Sequence, residues 1–146
     1  MARQDTIHKN MLALSFISLS LIYVIMLFGV YIAASHQGLS CPGWPLCPNG
    51  FSFPPEKYFF EHFHRMLVVI TAASVIFTAT YANNKVKSAR NTSIASVILI
   101  LIQIVLGMLI VNLKLEPLLV AVHLSSGVLL FAMMLMTFLV AHKLKI

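Results

Sequence analysis

Long apolar runs separated by short polar stretches make up almost the whole chain. Four runs, at about 11–34, 59–81, 93–112 and 118–141, are rich in Leu, Ile, Val, Phe and Met. Each is close to the ~20 residues that a helix needs to cross ~30 Å of hydrocarbon. None alternates apolar and polar residues as a barrel strand does, so each is read as a helix that satisfies its own backbone. The pattern therefore predicts an all-α integral membrane four-helix bundle, one domain over 1–146, with a long loop at 36–57 between the first two spans. Charged residues make up only 10% of the 146 residues, and mean hydropathy is +0.93. Soluble domains carry about 25% charge, so a water-soluble enzyme is excluded.

The net charge of +6 invites a nucleic-acid reading. The basic residues are instead dispersed over the ends of the spans, where they report topology. Lys85, Lys87 and Arg90 sit between the second and third runs, Arg3 and Lys9 before the first, and Lys143 and Lys145 after the last. The other two connections hold Glu56, Lys57 and Glu61, and Lys114 and Glu116, which nearly cancel. The positive-inside rule then places both termini and the 83–91 connection in the cytoplasm, and the 36–57 loop outside. The first run, ending in Ala33-Ala34-Ser35, is too long for the 7–15-residue core of a cleaved signal peptide and is read as a span.

The 36–57 loop holds five of the six prolines (Pro42, Pro45, Pro48, Pro54, Pro55) and both cysteines, Cys41 and Cys47. Regular structure is not expected there. On an oxidising side the two cysteines suit a disulfide closing a short loop; a redox-active or metal-binding thiol pair is the competing reading. The aromatic stretch Phe51–Phe60 reads as an interfacial belt.

Chemistry concentrates at Glu61-His62-Phe63-His64-Arg65, where the second span begins, and at His123 in the fourth. Ionisable groups inside a span are costly and are explained most directly by something they bind. The second and fourth helices run in the same direction. Counted from Glu56 and Pro117, His64 and His123 lie about 12 and 9 Å deep, a level match. Diagonal helices of a four-helix bundle face each other across its core, and a haem takes axial imidazoles from its two faces. His64 and His123 are thus candidate axial ligands, with Arg65 and Lys57 placed for the propionates. Ser126 and Gly127 follow His123 at i+3 and i+4 and leave a strip open for a flat ring. Glu61 either pairs with Arg65 at i, i+4 or acts as a base or proton donor. A non-haem metal, and histidines that merely hydrogen-bond a neighbouring helix, are the rival accounts. His62 is a secondary candidate, and His8, His36 and His142 read as solvated terminal or loop residues. Gly29 is expected to admit a close helix neighbour. Gln103 and Gly107, one turn apart, read as a packing groove with an interhelical hydrogen bond.

Taken together, Gly-Leu-Ser-Cys-Pro-Gly-Trp-Pro-Leu-Cys in the loop, Glu61-x-x-His64-Arg65, Gln103-x-x-x-Gly107 and His123 resemble the haem A synthase family. Members usually have eight helices in two tandem halves, and this chain is similar to one half over nearly its whole length. The resemblance implies that His64 and His123 ligate haem B, that Glu61 takes part in catalysis and that Cys41 and Cys47 form a disulfide. It implies oxidation of a methyl group of haem O to a formyl group, giving haem A, in the plasma membrane. Its partners would be a second copy of the chain in a homo-oligomer, haem O synthase and a terminal oxidase. The chain departs from the family in lacking an arginine across Tyr31–Ser35 and in having Gly43 where an acid often precedes the tryptophan. The alternative expectation is a non-catalytic b-type cytochrome serving electron transfer or oxidase assembly. A thiol–quinone oxidoreductase built on Cys41 and Cys47 is a third reading, weakened by the lack of a second cysteine pair.

Overall fold

A computed structural model describes residues 2–143, which excludes Lys145 of the C-terminal basic group. Four helices account for most of it: α1 Ala2–Ala34, α2 Phe59–Lys85, α3 Arg90–Asn112 and α4 Pro117–Lys143. All four are long and apolar enough to cross a membrane, and no strand occurs among the described residues. Each consecutive pair packs together and α4 closes the ring against α1, while the backbones of α1 and α3, and of α2 and α4, stay more than 8 Å apart between Cα atoms. The bundle is therefore a square with α2 and α4 on one diagonal. Large apolar side chains such as Phe16, Val69, Ile98 and Val128 point outward from all four helices, as expected where lipid rather than water is the solvent.

Two boundaries differ from the sequence expectation. Helix α1 starts well before residue 10 because Ile7 packs on an inner cluster of Met11, Ala82, Val86, Ala89 and Ala141, and its carbonyl accepts a 3.4 Å hydrogen bond from Tyr81 Oη. The expected 83–91 connection is almost entirely helical. The chain turns at buried Val86 (φ −134°, ψ 74°) and passes through a 3₁₀ turn, Lys87–Ala89, into α3. Burying Val86 and Ala89 in the same cluster forces this tight reversal.

A second cluster, Ile22, Val75, Ile100, Leu130 and Met134, fills the middle of the bundle. Hydroxyl pairs knit the helices on the same side. Ser18 Oγ is hydrogen-bonded to Ser74 Oγ at 2.7 Å and Thr78 Oγ1 at 2.9 Å, and Thr137 Oγ1 donates to Thr92 Oγ1 at 2.9 Å. Small residues with back-bonded hydroxyls let helices approach closely without stranding a polar group. These serines and threonines need no further role.

The opposite end carries the loop between α1 and α2 and the short α3–α4 turn. Lys114 and Leu115 take positive φ values of 53° and 63° to reverse the chain. Leu115 then leans on Gly38, where a Cβ would come within 2.9 Å of Leu115 Cδ2, so glycine permits the two connections to meet. Phe59 packs on Phe53, Phe60 and Phe63 with ring centroids 4.7–5.9 Å apart, and Phe60 packs on Tyr31 at 4.7 Å. The aromatic stretch is thus partly a belt, with Phe51 and Phe53 exposed, and partly the packing that seats the loop on α2.

Candidate functional site

Toward the loop end the clustered apolar core stops, and glycines and histidines take its place. His64 lies five residues past Phe59, the first residue of α2, and His123 six past Pro117, the first of α4. At 1.5 Å per residue the two are level to within about 1.5 Å. The match is closer than expected from sequence because residues Glu56–Tyr58 form a separate 3₁₀ turn and α2 proper begins later. The two imidazoles belong to diagonal helices.

Each ring faces a glycine of the preceding helix. A Cβ at Gly29 of α1 would sit 3.3 Å from His64 Cε1, and one at Gly107 of α3 would sit 3.9 Å from His123 Cε1. The close neighbour expected at Gly29 is thus a histidine, and Gly107 plays the matching part in the second hairpin, which sequence reasoning missed. The signal was present: a glycine in each odd helix at the depth of the histidine in the next.

Neither imidazole makes a hydrogen bond among the described residues, and the Nδ1 atoms of His64 and His123 are both buried without a partner. The reading of these residues as interhelical hydrogen-bonders is not realised. An iron binds imidazole through Nε2, and the Nε2 atoms of His64 and His123 are likewise without a hydrogen bond among the described residues, so both rings are free to take a ligand that is not protein. No group of three or more His, Cys, Asp or Glu side chains among the described residues is arranged to hold a metal ion. Two imidazoles fit a ring that brings its own four donors better than a bare ion that needs three or four from protein.

Glu61 and Arg65 do form the i, i+4 pair, at 2.5 Å, and both do more than pair. Glu61 is 4% exposed. Its Oε2 accepts hydrogen bonds of 2.8 Å from Ser40 Oγ and from the backbone N–H of Cys41. Arg65 Nη1 donates to the carbonyls of Gly43 and Pro45. Two side chains one turn apart on α2 therefore clasp the 40–45 segment, and Gly43 serves through its carbonyl. The guanidinium keeps its Nε–H and one Nη2–H for another acceptor. The same segment is closed by a disulfide between Cys41 and Cys47, with Cα atoms 5.0 Å apart. Both cysteines are buried, at 0% and 3% exposure, which shields the disulfide from an attacking thiol and disfavours the thiol-relay reading.

Gln103 makes the expected interhelical bond: its Nε2 donates to Ser126 Oγ at 2.5 Å. His62 is 5% exposed and packs edge-on to Phe63, with its Nδ1 also unpartnered. His36 lies exposed in the loop, whereas His8 and His142 fall within α1 and α4 rather than in irregular termini. His36, Gln37, Lys57 and Phe60 line a separate crevice of about 550 Å³ outside the bundle.

Comparison with known proteins gives the family of the chain. The COX15-CtaA family, described as cytochrome oxidase assembly protein, matches residues 50–145, which include Glu61, His64, Arg65, Gln103, Gly107 and His123. The chain belongs to this family. A curated COX15-CtaA-type relative, the heme A synthase of Shewanella oneidensis (strain MR-1), is 28% identical over 142 residues, covering 84% of this chain and 43% of the relative. The chain thus spans less than half the length of that relative. A multi-pass membrane protein of the COX15-CtaA family follows from the family match and the four spans together.

Proposed function

We propose that this chain is a haem-binding four-helix unit of haem A synthase type, with His64 and His123 as the axial ligands of a b-type haem. The observation that carries the reading is the pair of unpartnered imidazoles, level on diagonal helices, each backed by a glycine. Bound there, haem B supplies the redox centre for oxidising a methyl group of haem O to the formyl group of haem A. The chain's own residues bind and orient. Gly29 and Gly107 leave no side chain beside the two Cε1 atoms, so the rings can turn Nε2 toward the bundle axis. The remaining N–H groups of Arg65, with Lys57, attract propionates toward the loop end. Glu61 is the one carboxylate near the site and the candidate for moving a proton there. The charge distribution puts the Cys41–Cys47 loop on the outer face of the plasma membrane. A second unit of the same kind, provided by a second copy, supplies the other half of the longer relative. Haem O synthase and a terminal oxidase are the partners that this chemistry calls for upstream and downstream.

One observation favours a second reading, a non-catalytic b-type cytochrome. The carboxylate of Glu61 already accepts from Ser40, Cys41 and Arg65, which suits a structural clasp as well as a catalytic group.

The deciding experiment is an absorption spectrum of the purified protein, oxidised and dithionite-reduced, with extraction and chromatography of its haems. A six-coordinate b-type spectrum with haem O, haem A or an oxidised intermediate alongside haem B supports the synthase. Haem B alone in every preparation supports the cytochrome. His64→Ala and His123→Ala should each abolish the six-coordinate spectrum while the helical circular dichroism persists; full haem retention in both overturns the ligand assignment.

A further inference from the structure

The strip beside His123 contains a polar group that the ligand assignment leaves unused. Ser126 Oγ donates its single proton back to a carbonyl of its own helix, Val122 O at 2.6 Å, with His123 O at 3.2 Å. It therefore has only lone pairs to offer Gln103, and the glutamine must present its Nε2–H, as it does at 2.5 Å. This fixes the amide. Its other end, Oε1, accepts no hydrogen bond among the described residues and lies 3.7 Å from where a Cβ of buried Gly127 would be. A Cβ at Gly127 would rest against that oxygen in ordinary contact, and the glycine leaves this side of it uncovered.

The position is specific. Gly107, one turn from Gln103 on α3, faces His123; Ser126 and Gly127 lie one turn beyond His123 on α4. The free oxygen thus sits about one turn from His123 (roughly 5 Å along the helix), away from the loop end with its Arg65 and Lys57. An amide oxygen with no donor recognises a hydroxyl or other O–H group, and the second N–H of the same amide is free beside it among the described residues. Haem B has only apolar substituents apart from its propionates. Haem O carries a hydroxyethylfarnesyl group where haem B has a vinyl.

On the haem reading above, we propose that Gln103 is a specificity-determining residue whose Oε1 accepts a hydrogen bond from the hydroxyl of the ring's farnesyl-bearing substituent, with Ser126 and Gly127 as its anchor and its clearance. Where a copy takes haem O, Gln103 adds one contact that haem B cannot make, and haem B is still held by the two histidines.

The test is titration of the purified full chain in detergent with haem B and, separately, haem O, following the Soret band to obtain each Kd. Gln103→Leu should weaken haem O about three- to tenfold, the worth of one hydrogen bond, and leave haem B within about twofold. Gln103→Asn, which keeps an amide but withdraws it, should show the same selective loss and carries the test if the leucine variant does not fold. Ser126→Ala should give a smaller loss, again for haem O alone. Equal effects on the two haems, or no effect on either, overturn the proposal while the His64–His123 site stands. Failure of the wild-type chain to take up either haem overturns both.

Discussion

Glu61 and Arg65 meet at 2.5 Å across one turn of α2, and from that junction each reaches into the disulfide-closed loop. The loop is therefore fastened to the same helical turn that presents His64, so its position and that of the imidazole are coupled through α2. Both partners are nearly buried, with side-chain exposures of 10% and 6%.

Arg65→Ala removes the ion pair and both carbonyl contacts together, and should destabilise the loop's attachment by about 1.5–3 kcal/mol. Amide exchange over 40–47 should rise in that variant. Arg65→Lys should restore only part of the protection, because a lysine lacks the fork that holds two carbonyls and a carboxylate at once. Unchanged exchange would show that the clasp contributes nothing to the loop.

Glu61→Gln keeps an acceptor for Ser40 and the Cys41 N–H while removing the charge. Haem content should stay close to wild type, while loop protection over 40–47 falls part of the way, because the ion pair is lost and the new amide NH₂ faces Arg65 Nη2. Product formation should be lost if the carboxylate moves a proton, and chromatography of haem extracted from cells making the variant measures it. Wild-type yield of haem A would assign Glu61 to the clasp alone.

The two glycines behind the histidines are not equivalent. Gly29→Ala places a Cβ 3.3 Å from His64 Cε1, closer than ordinary contact, and should cost about 1–3 kcal/mol or tilt the ring. The readout is a shifted or weakened low-spin spectrum. Gly107→Ala, at 3.9 Å from His123, should be nearly neutral. Similar behaviour of the two variants would mean that the α1–α2 hairpin yields more readily than its packing suggests.

Replacing Cys41 and Cys47 together by serine should lower stability by about 2 kcal/mol, the value for releasing so short a loop. Thermal unfolding in detergent measures it. Haem binding should persist, because His64 and His123 are carried by α2 and α4 and not by the loop; loss of haem would tie the loop directly to the ring.

Ser18→Ala breaks the hydroxyl contacts to Ser74 and Thr78. Interhelical bonds of this kind are worth about 0.6 kcal/mol in a membrane, and both partners can bond back to their own helices. A loss well above 1.7 kcal/mol in a reversible unfolding assay would require a role beyond packing.

The sequence by itself determined the four spans, the pairing of Cys41 with Cys47 as one of two readings, and the level placement of His64 and His123. These depend on hydrophobic run length and residue count, which are local and survive any error in packing. Local patterns could not decide where α1 begins, because Ile7 is held by Tyr81 and the inner cluster, far away in the chain. Nor could they show that 83–91 is helical, since burial of Val86 and Ala89 depends on Met11 and Ala141. The tertiary structure alone decided which glycine faces which histidine, that Glu61 holds Ser40 and Cys41 as well as Arg65, and that the Gln103 amide is oriented by Ser126. Apart from the Glu61–Arg65 pair, those are contacts between positions 16 to 35 residues apart in the chain. Helix rotation sets them, and a run of Leu and Ile that is apolar on every face leaves that rotation unspecified until the neighbouring helices pack.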